Sequence, residues 1–277
     1  MISSSVFKLL SNPLKNILSN MVMVRNYRPR RALLYVPGDN TRMINKAFTL
    51  PVDSIILDCE DGVAVNKKAE ARTLIRAQLD QGVHIKSKKY DCGVRVNPVG
   101  SDLCEQDLNT ILSAQFLPNS ILLPKVEGTD DIRWFADKLN TKIEMNTTID
   151  LIIYIESPTA LLNCYDICKT ATAVSTYGKF LLSAIVFGSD DFCAAIGATR
   201  TEDGRELLYV RQKIVLIAKA FGLQAIDRVH LYITDLEGLE KDCREGAIMG
   251  YTGKQVIHPN QIPIVQRQFL PTKAQLE

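Results

Sequence analysis

The stretch Ser54-Ile-Ile-Leu-Asp-Cys-Glu-Asp61 decides the fold, because a short apolar run passes directly into acidic side chains. Four further runs end in the same way on polar residues: 93–97, 151–156, 184–191 and 255–258. A parallel barrel gathers the carboxyl ends of all its strands at one mouth, where enzymes of this architecture keep their chemistry. One mouth could therefore hold the polar ends of all five runs.

Strand-like and helix-like segments alternate eight times along the 277 residues. The predicted strands are near-continuous Val, Ile and Leu runs, as expected when both faces are covered: 32–36, 54–57, 93–96, 120–123, 149–155, 184–187, 223–226 and 254–257. Eight such units predict a (β/α)8 TIM barrel, a fold of roughly 250 residues. A doubly wound sheet is the alternative, since strand order is not visible in a sequence, but it would need fewer strands or more residues.

The two ends of the sequence fall outside this pattern. Residues 1–28 are basic, carry several serines and place apolar side chains on one helical face, which is typical of a mitochondrial transit peptide. An ordinary amphipathic terminal helix is the alternative. At the other end, Thr272 and Gln275 have the spacing of a capping box two residues before the last one. We therefore expect a leader over 1–28, a barrel over 29–270, and the truncated start of a C-terminal extension over 271–277.

Composition excludes several classes of function. The net charge of +2 is concentrated before Asp39, in Lys8, Lys15, Arg25, Arg28, Arg30 and Arg31, so a nucleic-acid partner is not supported. Apolar stretches are too short to span a membrane, and the dinucleotide, P-loop, nucleophile-elbow and HExxH motifs are absent. The seven cysteines form no CxxC pair and predict free buried thiols. Cys164 and Cys168 are four apart, but no nearby histidine would complete a zinc site.

Two acidic residues point to a metal. Glu156 closes the fifth predicted strand and Asp191 follows the sixth, so neighbouring strands would aim two carboxylates at one point. Mg²⁺ binds few protein carboxylates and completes its octahedron with waters and substrate oxygens. Glu60 and Asp61 would accept hydrogen bonds from the waters of the ion. The alternative is that these acids pair with Lys or Arg at the rim or cap the following helices.

Several cationic and histidine side chains would border the same mouth. Arg95 could grip a carboxylate or enolate oxygen, or it could be a buried counter-ion of Asp58. Lys125 could form a Schiff base or simply pair with an acid. Arg42 and Lys46 offer a basic helix face suited to phosphates, although such a face is usually just solvated. His258 belongs to the mouth, whereas the other histidines, His84 and His230, are interpreted as structural or surface residues.

The ordered motifs resemble the citrate lyase beta-subunit-like family, part of the HpcH/HpaI aldolase and malyl-CoA lyase group. The resemblance runs from about residue 29 to 270 and is carried by the segments 31–38, 57–63, 95–97, 123–126, 156–157, 186–192 and 253–260. Its nearest branch is the mitochondrial one of animals, whose substrate is citramalyl-CoA. The resemblance implies a Mg²⁺-dependent barrel that makes or breaks carbon–carbon bonds in CoA thioesters of hydroxy-dicarboxylic acids, usually as a homotrimer.

The resemblance also assigns roles to positions of this sequence. Glu156 and Asp191 match the Mg²⁺ ligands, and Arg95 matches the substrate-binding arginine. The remaining matches are residues that touch the CoA thioester, the acyl end or the waters of the metal: Tyr35, Arg42 and Lys46, then Ile257 and His258, then Glu60 and Asp61.

One family feature has no match here. The catalytic aspartate of the family lies in a C-terminal extension that reaches a neighbouring subunit, and no position up to Glu277 corresponds to it. We therefore carry two expectations. The first is a mitochondrial matrix lyase that cleaves (3S)-citramalyl-CoA to pyruvate and acetyl-CoA, with malyl-CoA lyase or thioesterase and malate-synthase-like side activity. The second is a catalytically impaired form that binds Mg²⁺ and acyl-CoA without efficient turnover.

Overall fold

The apolar runs form eight parallel strands that hydrogen-bond in chain order and close on themselves. The structure is a computed structural model that describes residues 28–87, 90–144, 147–201 and 203–271. Its strands are β1 (Ala32–Pro37), β2 (Ser54–Asp58), β3 (Asp91–Arg95), β4 (Ser120–Leu123), β5 (Ile149–Ile155), β6 (Phe180–Phe187), β7 (Gln224–Asp227) and β8 (Gly253–Val256). The predicted (β/α)8 barrel is confirmed, and the doubly wound alternative is wrong.

Helices follow every strand and cover the outside of the barrel. They are α1 (Thr41–Ala47), α2 (Lys68–Asp80), α3 (Val83–Ser87), α4 (Asp102–Ile111), α5 (Thr129–Lys142), α6 (Pro158–Gly178), α7 (Ser189–Ile196), α8 (Leu208–Ala220), α9 (Leu236–Met249) and α10 (Ile262–Gln268). Short 3₁₀ turns, Val65–Lys67 and Arg205–Leu207, lead into α2 and α8. Among the described residues, no helix has both the length and the apolarity needed to cross a bilayer.

Strand boundaries differ from the prediction most at β6, which begins at Phe180 instead of Ala184, and next where a strand begins or ends on a charged residue. β3 begins at Asp91 instead of Gly93, and β7 ends at Asp227 instead of Ile226. Both carboxylates are buried because an arginine neutralises each: Arg30 binds Asp91, and Arg211 binds Asp227, with nitrogen–oxygen distances of 2.7 and 2.6 Å. Both strands therefore include a charged residue that the prediction, based on apolar runs, left outside them.

Apolar side chains fill both the inside of the barrel and the layer between the barrel and its helices. The inner set is small and consists of Leu33, Ile56, Leu122, Ile152, Tyr154, Ala184, Val186 and Ile226, with Tyr35 packed against it. The outer set is larger and joins the other faces of the strands to the helices. The seven cysteines are free and buried, as predicted.

A buried ion-pair group, here called the floor, closes the amino end of the barrel. It consists of Arg30, Asp91 and Asp150. The Arg30 guanidinium is 1% exposed; its Nε donates to Asp91 Oδ2 at 2.7 Å and its Nη2 to Asp150 Oδ2 at 2.5 Å. Arg31 pairs in turn with Asp53. Two of the cations that we counted with the basic N-terminal segment are thus balanced within the barrel.

Both expected terminal segments lie largely outside the described residues. These are residues 1–27 of the expected leader and residues 272–277, which include the capping-box spacing. The described chain starts at Arg28, whose backbone carbonyl accepts a hydrogen bond of 2.8 Å from Gln224 Nε2.

Candidate functional site

The carboxyl ends of the strands bring the predicted polar residues together at the mouth of the barrel. Asp58 ends β2, Arg95 ends β3, Lys125 follows β4, and Glu156 follows β5. Asp191 lies in the first turn of α7, directly after β6. Ion pairs connect these residues with Glu60 and Asp61, which follow β2, except for Glu156, which accepts the backbone N–H of Lys125.

Arg95 is anchored from below by Asp58. Its Nε and Nη2 donate to the two carboxylate oxygens at 2.7 and 2.6 Å. Its Nη1 lies 2.9 Å from Glu60 Oε2, and its guanidinium lies over the ring of Tyr35, 5.1 Å from the centroid. Arg95 is therefore paired with Asp58, as the counter-ion alternative predicted. Nη1 also lies 3.6 Å from Asp61 Oδ2, which is an ion pair beyond hydrogen-bond distance. An arginine carries five N–H donors, so the three short contacts leave two donors without a hydrogen bond.

Lys125 lies at the centre of the acidic side chains. Its Nζ is 2.6 Å from Glu60 Oε1, 3.5 Å from Asp61 Oδ1 and 3.4 Å from Asp191 Oδ2. Burial acts to lower the pKa of Lys125, but hydrogen bonding to Glu60 and the surrounding negative charges raise it well above its usual value. A Schiff-base lysine needs a lowered pKa. The geometry is thus opposed to the imine alternative.

Glu156 is buried and short of positive partners. It is 7% exposed, and its Oε2 accepts the backbone N–H of Lys125 at 2.8 Å. Burial, followed by the charge of Glu60, raises the pKa of Glu156 to about 8. Gly188 leaves room for this carboxylate, because a Cβ at position 188 would lie 2.3 Å from Glu156 Oε1. Sequence reasoning missed this role, although the glycine directly after β6 was visible.

Asp191 offers an oxygen without a hydrogen-bond partner. Its side chain is 45% exposed, yet Oδ2 is buried and accepts no hydrogen bond. The Lys125 ammonium is within ion-pairing distance of this oxygen. A buried carboxylate oxygen that lacks a donor is costly unless a cation satisfies it.

The oxygens of Glu156 and Asp191 fit a hard divalent cation. Both side chains contact Lys125, Glu156 through the backbone N–H and Asp191 through the ammonium, and the charge of Asp191 contributes to the raised pKa of Glu156, so the two carboxylates are neighbours. Among the described residues, no group of three or more acidic, His or Cys side chains is arranged to hold an ion. Mg²⁺ needs only one or two carboxylates, because it keeps several waters. The donor set present is therefore of the kind that Mg²⁺ uses.

Glu60 and Asp61 are neutralised by the two cations of the mouth. Burial raises the pKa of Glu60 even though Arg95 opposes this effect. Burial acts to raise the pKa of Asp61 too, but its hydrogen bond with Glu60 and the charges of Arg95 and Lys125 lower it. Both residues contact the ammonium of Lys125, which also contacts Asp191, and the backbone N–H of Lys125 donates to Glu156.

Tyr154 is a mouth residue that sequence reasoning did not single out. Its hydroxyl shares a hydrogen bond with that of Tyr35, and both rings lie under the Arg95 guanidinium. The alternation of inward and outward positions along β5 could have identified it, since Tyr154 is two residues before Glu156.

The basic pair and the loop after β8 border the mouth on another side. Arg42 and Lys46 are exposed and one turn apart on α1, which follows β1. The backbone N–H groups of Ile257 and His258 both donate to Gln261 Oε1, at 3.0 and 3.2 Å. The same Gln261 amide donates to the carbonyl of His230 at 2.9 Å, so a buried glutamine missed in the sequence fixes this loop.

The other histidines have local partners. His84 is buried, and its Nε2 lies 3.0 Å from the carbonyl oxygen of Leu117. His230 packs edge-on to the ring of Tyr232. These contacts agree with the structural interpretation of both residues.

Comparisons with known proteins agree with the fold. The family model described as HpcH/HpaI aldolase/citrate lyase matches residues 31–259. The mitochondrial citramalyl-CoA lyase of Rattus norvegicus is 48% identical over 254 residues, which cover 89% of this chain and 73% of that protein.

Solved structures of related proteins contain magnesium. A citrate lyase beta subunit from Mycobacterium tuberculosis, complexed with oxaloacetate and magnesium, superposes with a TM-score of 0.71 at 28% identity and covers 88% of this chain and 98% of that one. The protein CitE of the same organism, in complex with magnesium, acetoacetate and coenzyme A, gives a TM-score of 0.69 at 27% identity, with coverage of 89% and 83%. With the family model matching most of its length, this chain belongs to the HpcH/HpaI aldolase/citrate lyase family.

Proposed function

We propose that this chain is a Mg²⁺-dependent lyase that breaks a carbon–carbon bond in a hydroxyacyl-CoA thioester, with (3S)-citramalyl-CoA as its substrate. The observation that carries the proposal is the pair Glu156 and Asp191, which follow the adjacent strands β5 and β6 at the mouth and both contact Lys125, beside an anchored arginine. The 48% identity to a citramalyl-CoA lyase supports the choice of substrate. The proposed products are pyruvate and acetyl-CoA.

Glu156 and Asp191 would hold the metal. When bound, Mg²⁺ supplies a Lewis acid that polarises substrate oxygens. The buried Asp191 Oδ2, which lacks a hydrogen bond, and the Glu156 carboxylate, whose pKa is raised by burial, would both be satisfied by a cation. Glu60 and Asp61 lie beside this pair and would accept hydrogen bonds from waters around it.

Arg95 would bind the thioester carbonyl oxygen through its two uncommitted N–H groups. Asp58 and Glu60 hold the guanidinium in place, so little reorganisation is needed during the reaction. The substrate hydroxyl gives its proton to solvent water and becomes the keto group of pyruvate as the carbon–carbon bond breaks, and the electron pair of that bond moves into the thioester enolate. A preorganised donor at that oxygen is typically worth about 3 kcal/mol. Protonation of the enolate carbon then gives acetyl-CoA, and the family assigns this proton to an aspartate that no position of this sequence matches.

The remaining mouth residues would bind the rest of the thioester. Arg42 and Lys46 would contact the phosphates of coenzyme A, because both cations are exposed on one face of α1. Tyr35 would contact the thioester, and the Ile257–His258 loop would contact the acyl end. A mitochondrial matrix location and a homotrimer belong to the same proposal, the location being supported by the mitochondrial relatives.

A coupled assay tests the function. Purified chain, Mg²⁺ and citramalyl-CoA should release pyruvate, detected with lactate dehydrogenase and NADH, and EDTA should abolish the release until Mg²⁺ is restored. Glu156→Gln should lose the activity, whereas Glu105→Gln, on the exposed face of α4, should keep it. Pyruvate release that persists in EDTA, together with borohydride trapping of an adduct on Lys125, would refute the metal mechanism.

A second candidate function is the binding of Mg²⁺ and acyl-CoA without efficient turnover. Calorimetry with a CoA thioester, run beside the assay, separates the two functions. Binding with no pyruvate would favour the impaired form. Parallel assays with malyl-CoA, which would yield glyoxylate, test the proposed side activities.

A further inference from the structure

A single residue, Lys125, contacts four acidic residues of the mouth. Its ammonium lies 2.6 Å from Glu60, 3.5 Å from Asp61 and 3.4 Å from Asp191. Its backbone N–H donates to Glu156 at 2.8 Å. Lys125 therefore reaches both proposed metal ligands and both acids beside them.

The backbone conformation of Lys125 makes these contacts possible at a cost. Its φ of 51° lies in the left-handed region, which a residue with a side chain seldom adopts. Such conformations are unfavourable and persist where surrounding contacts hold them, often at functional sites. Here the conformation directs the N–H of Lys125 at Glu156 and its ammonium at Glu60.

The ion pairs of the mouth make Lys125 the cationic partner of Asp191. Arg95 is committed to Asp58 through both carboxylate oxygens. Among the described residues, Lys125 is the one cation found in an ion pair with Asp191. A cation held near Asp191 stabilises its charge in the absence of metal, but it also repels a second cation at the same oxygens.

We infer that Lys125 is a tethered counter-ion: it balances the mouth carboxylates in the metal-free protein, yields Asp191 to the metal, and thereby weakens and tunes Mg²⁺ binding. This inference rests on the proposed metal role of Glu156 and Asp191. Lys125 and the metal would then oppose each other, because both neutralise the same carboxylates and each positive charge weakens the binding of the other. A merely structural lysine would stabilise the protein equally with and without Mg²⁺.

Paired thermal melts and metal titrations test this antagonism. Wild type, Lys125→Met and Lys125→Arg are melted in EDTA and in saturating Mg²⁺, and the Kd for Mg²⁺ is measured by calorimetry. We expect Lys125→Met to lose about 2–4 °C more in EDTA than in Mg²⁺. We expect its Kd for Mg²⁺ to fall about tenfold, because a repelling unit charge is removed. Lys125→Arg, which keeps the charge, should stay near wild type.

Lys138→Met is the matched control. Lys138 forms an ion pair of 2.5 Å with Glu105 on the outer helices. Its removal should shift both melts equally and leave the Kd for Mg²⁺ unchanged. If Lys125→Met folds only with Mg²⁺, the antagonism is supported in its strongest form. If it folds in neither condition, Lys125→Gln, which keeps a donor for Glu60 but no charge, replaces it in the same measurements.

The outcomes separate this inference from the proposed function. If Mg²⁺ binds wild type but binds Lys125→Met equally or more weakly, or if both melts fall equally, the counter-ion role is wrong while the metal site stands. If wild type neither binds Mg²⁺ nor is stabilised by it, the proposed metal site fails, and the inference fails with it.

Discussion

The floor and the mouth of the barrel handle charge in opposite ways. At the floor, two carboxylates, Asp91 and Asp150, meet the buried guanidinium of Arg30, and Arg28 lies near Asp91 as well. At the mouth, Arg95 and Lys125 are the only cations, among the residues that the structure describes, that pair with Asp58, Glu60, Asp61 and Asp191, and Glu156 has only the backbone N–H of Lys125 as a partner. Balanced charge at the floor holds the fold together, whereas the surplus of acid at the mouth favours the binding of a cation.

This contrast agrees with the division of labour in TIM barrels. The amino face of such barrels mainly serves stability, and the carboxyl face carries the chemistry. Removing a floor residue should therefore damage folding more than catalysis, and removing a mouth residue should do the reverse.

The largest expected effect on stability is at the floor. Arg30→Met leaves Asp91 and Asp150 without their buried partner, and breaking a buried pair in this way costs about 3–5 kcal/mol. Urea denaturation should measure the loss in the free energy of unfolding. Arg31→Met, which removes a partly exposed pair with Asp53, is the control and should cost about 1 kcal/mol or less. Equal losses in the two variants would mean that the floor has no special role.

The next effect is a pH dependence at the mouth. In the metal-free protein the pKa of Glu156 is about 8, against an ordinary value of 4.5. The folded state therefore binds more protons than the unfolded state between these values, and stability falls as the pH rises through this window. We expect a loss on the order of 2 kcal/mol between pH 5 and pH 8 in EDTA.

Denaturation at a series of pH values checks the sign of this dependence. Glu156→Gln cannot titrate, so its stability should change less over the same range. Saturating Mg²⁺ should also flatten the curve, because a bound cation favours the charged carboxylate. A wild-type protein that becomes more stable from pH 5 to pH 8 in EDTA would contradict the charge surplus at the mouth.

The smallest expected effect concerns the loop after β8. Gln261→Leu removes the acceptor shared by the N–H groups of Ile257 and His258, at a cost of about 1–3 kcal/mol in stability. We expect the KM for the acyl-CoA to rise about fivefold, equivalent to about 1 kcal/mol, with a smaller change in kcat. Gln266→Leu, whose amide donates to the carbonyl of Pro51, is the control and should leave KM unchanged. A fall in kcat without a rise in KM would exclude a substrate-positioning role.

The mouth was easier to predict from the sequence than the floor. Glu156 and Asp191 directly follow apolar runs, and the barrel geometry brings the ends of such runs together whatever their exact limits. Arg30 stands among the basic residues near the N-terminus, so we counted it with the charge of that segment. Its partners, Asp91 and Asp150, are 61 and 120 residues away in the sequence. Local pattern carries no information about such distant pairings.

The partners within the mouth were also beyond the reach of the sequence. Lys125 was recognised as a candidate, but its contacts with Glu60 and Asp191 depend on a left-handed backbone that its neighbours do not specify. Gln261 was missed because a glutamine at the start of a helix looks like an ordinary surface residue. Its importance follows only from the two N–H groups that converge on it.

The last strand also determines when the protein can fold. β8 pairs with β1, so residues 32–34 must wait for residues 254–256 before the sheet is complete. Gly253 permits this approach, because a Cβ there would lie 2.0 Å from the carbonyl oxygen of Arg30. During synthesis the nascent barrel therefore exposes two open sheet edges until β8 has left the ribosome, and unpaired edges invite aggregation. The incomplete ring should therefore aggregate more readily than the closed barrel.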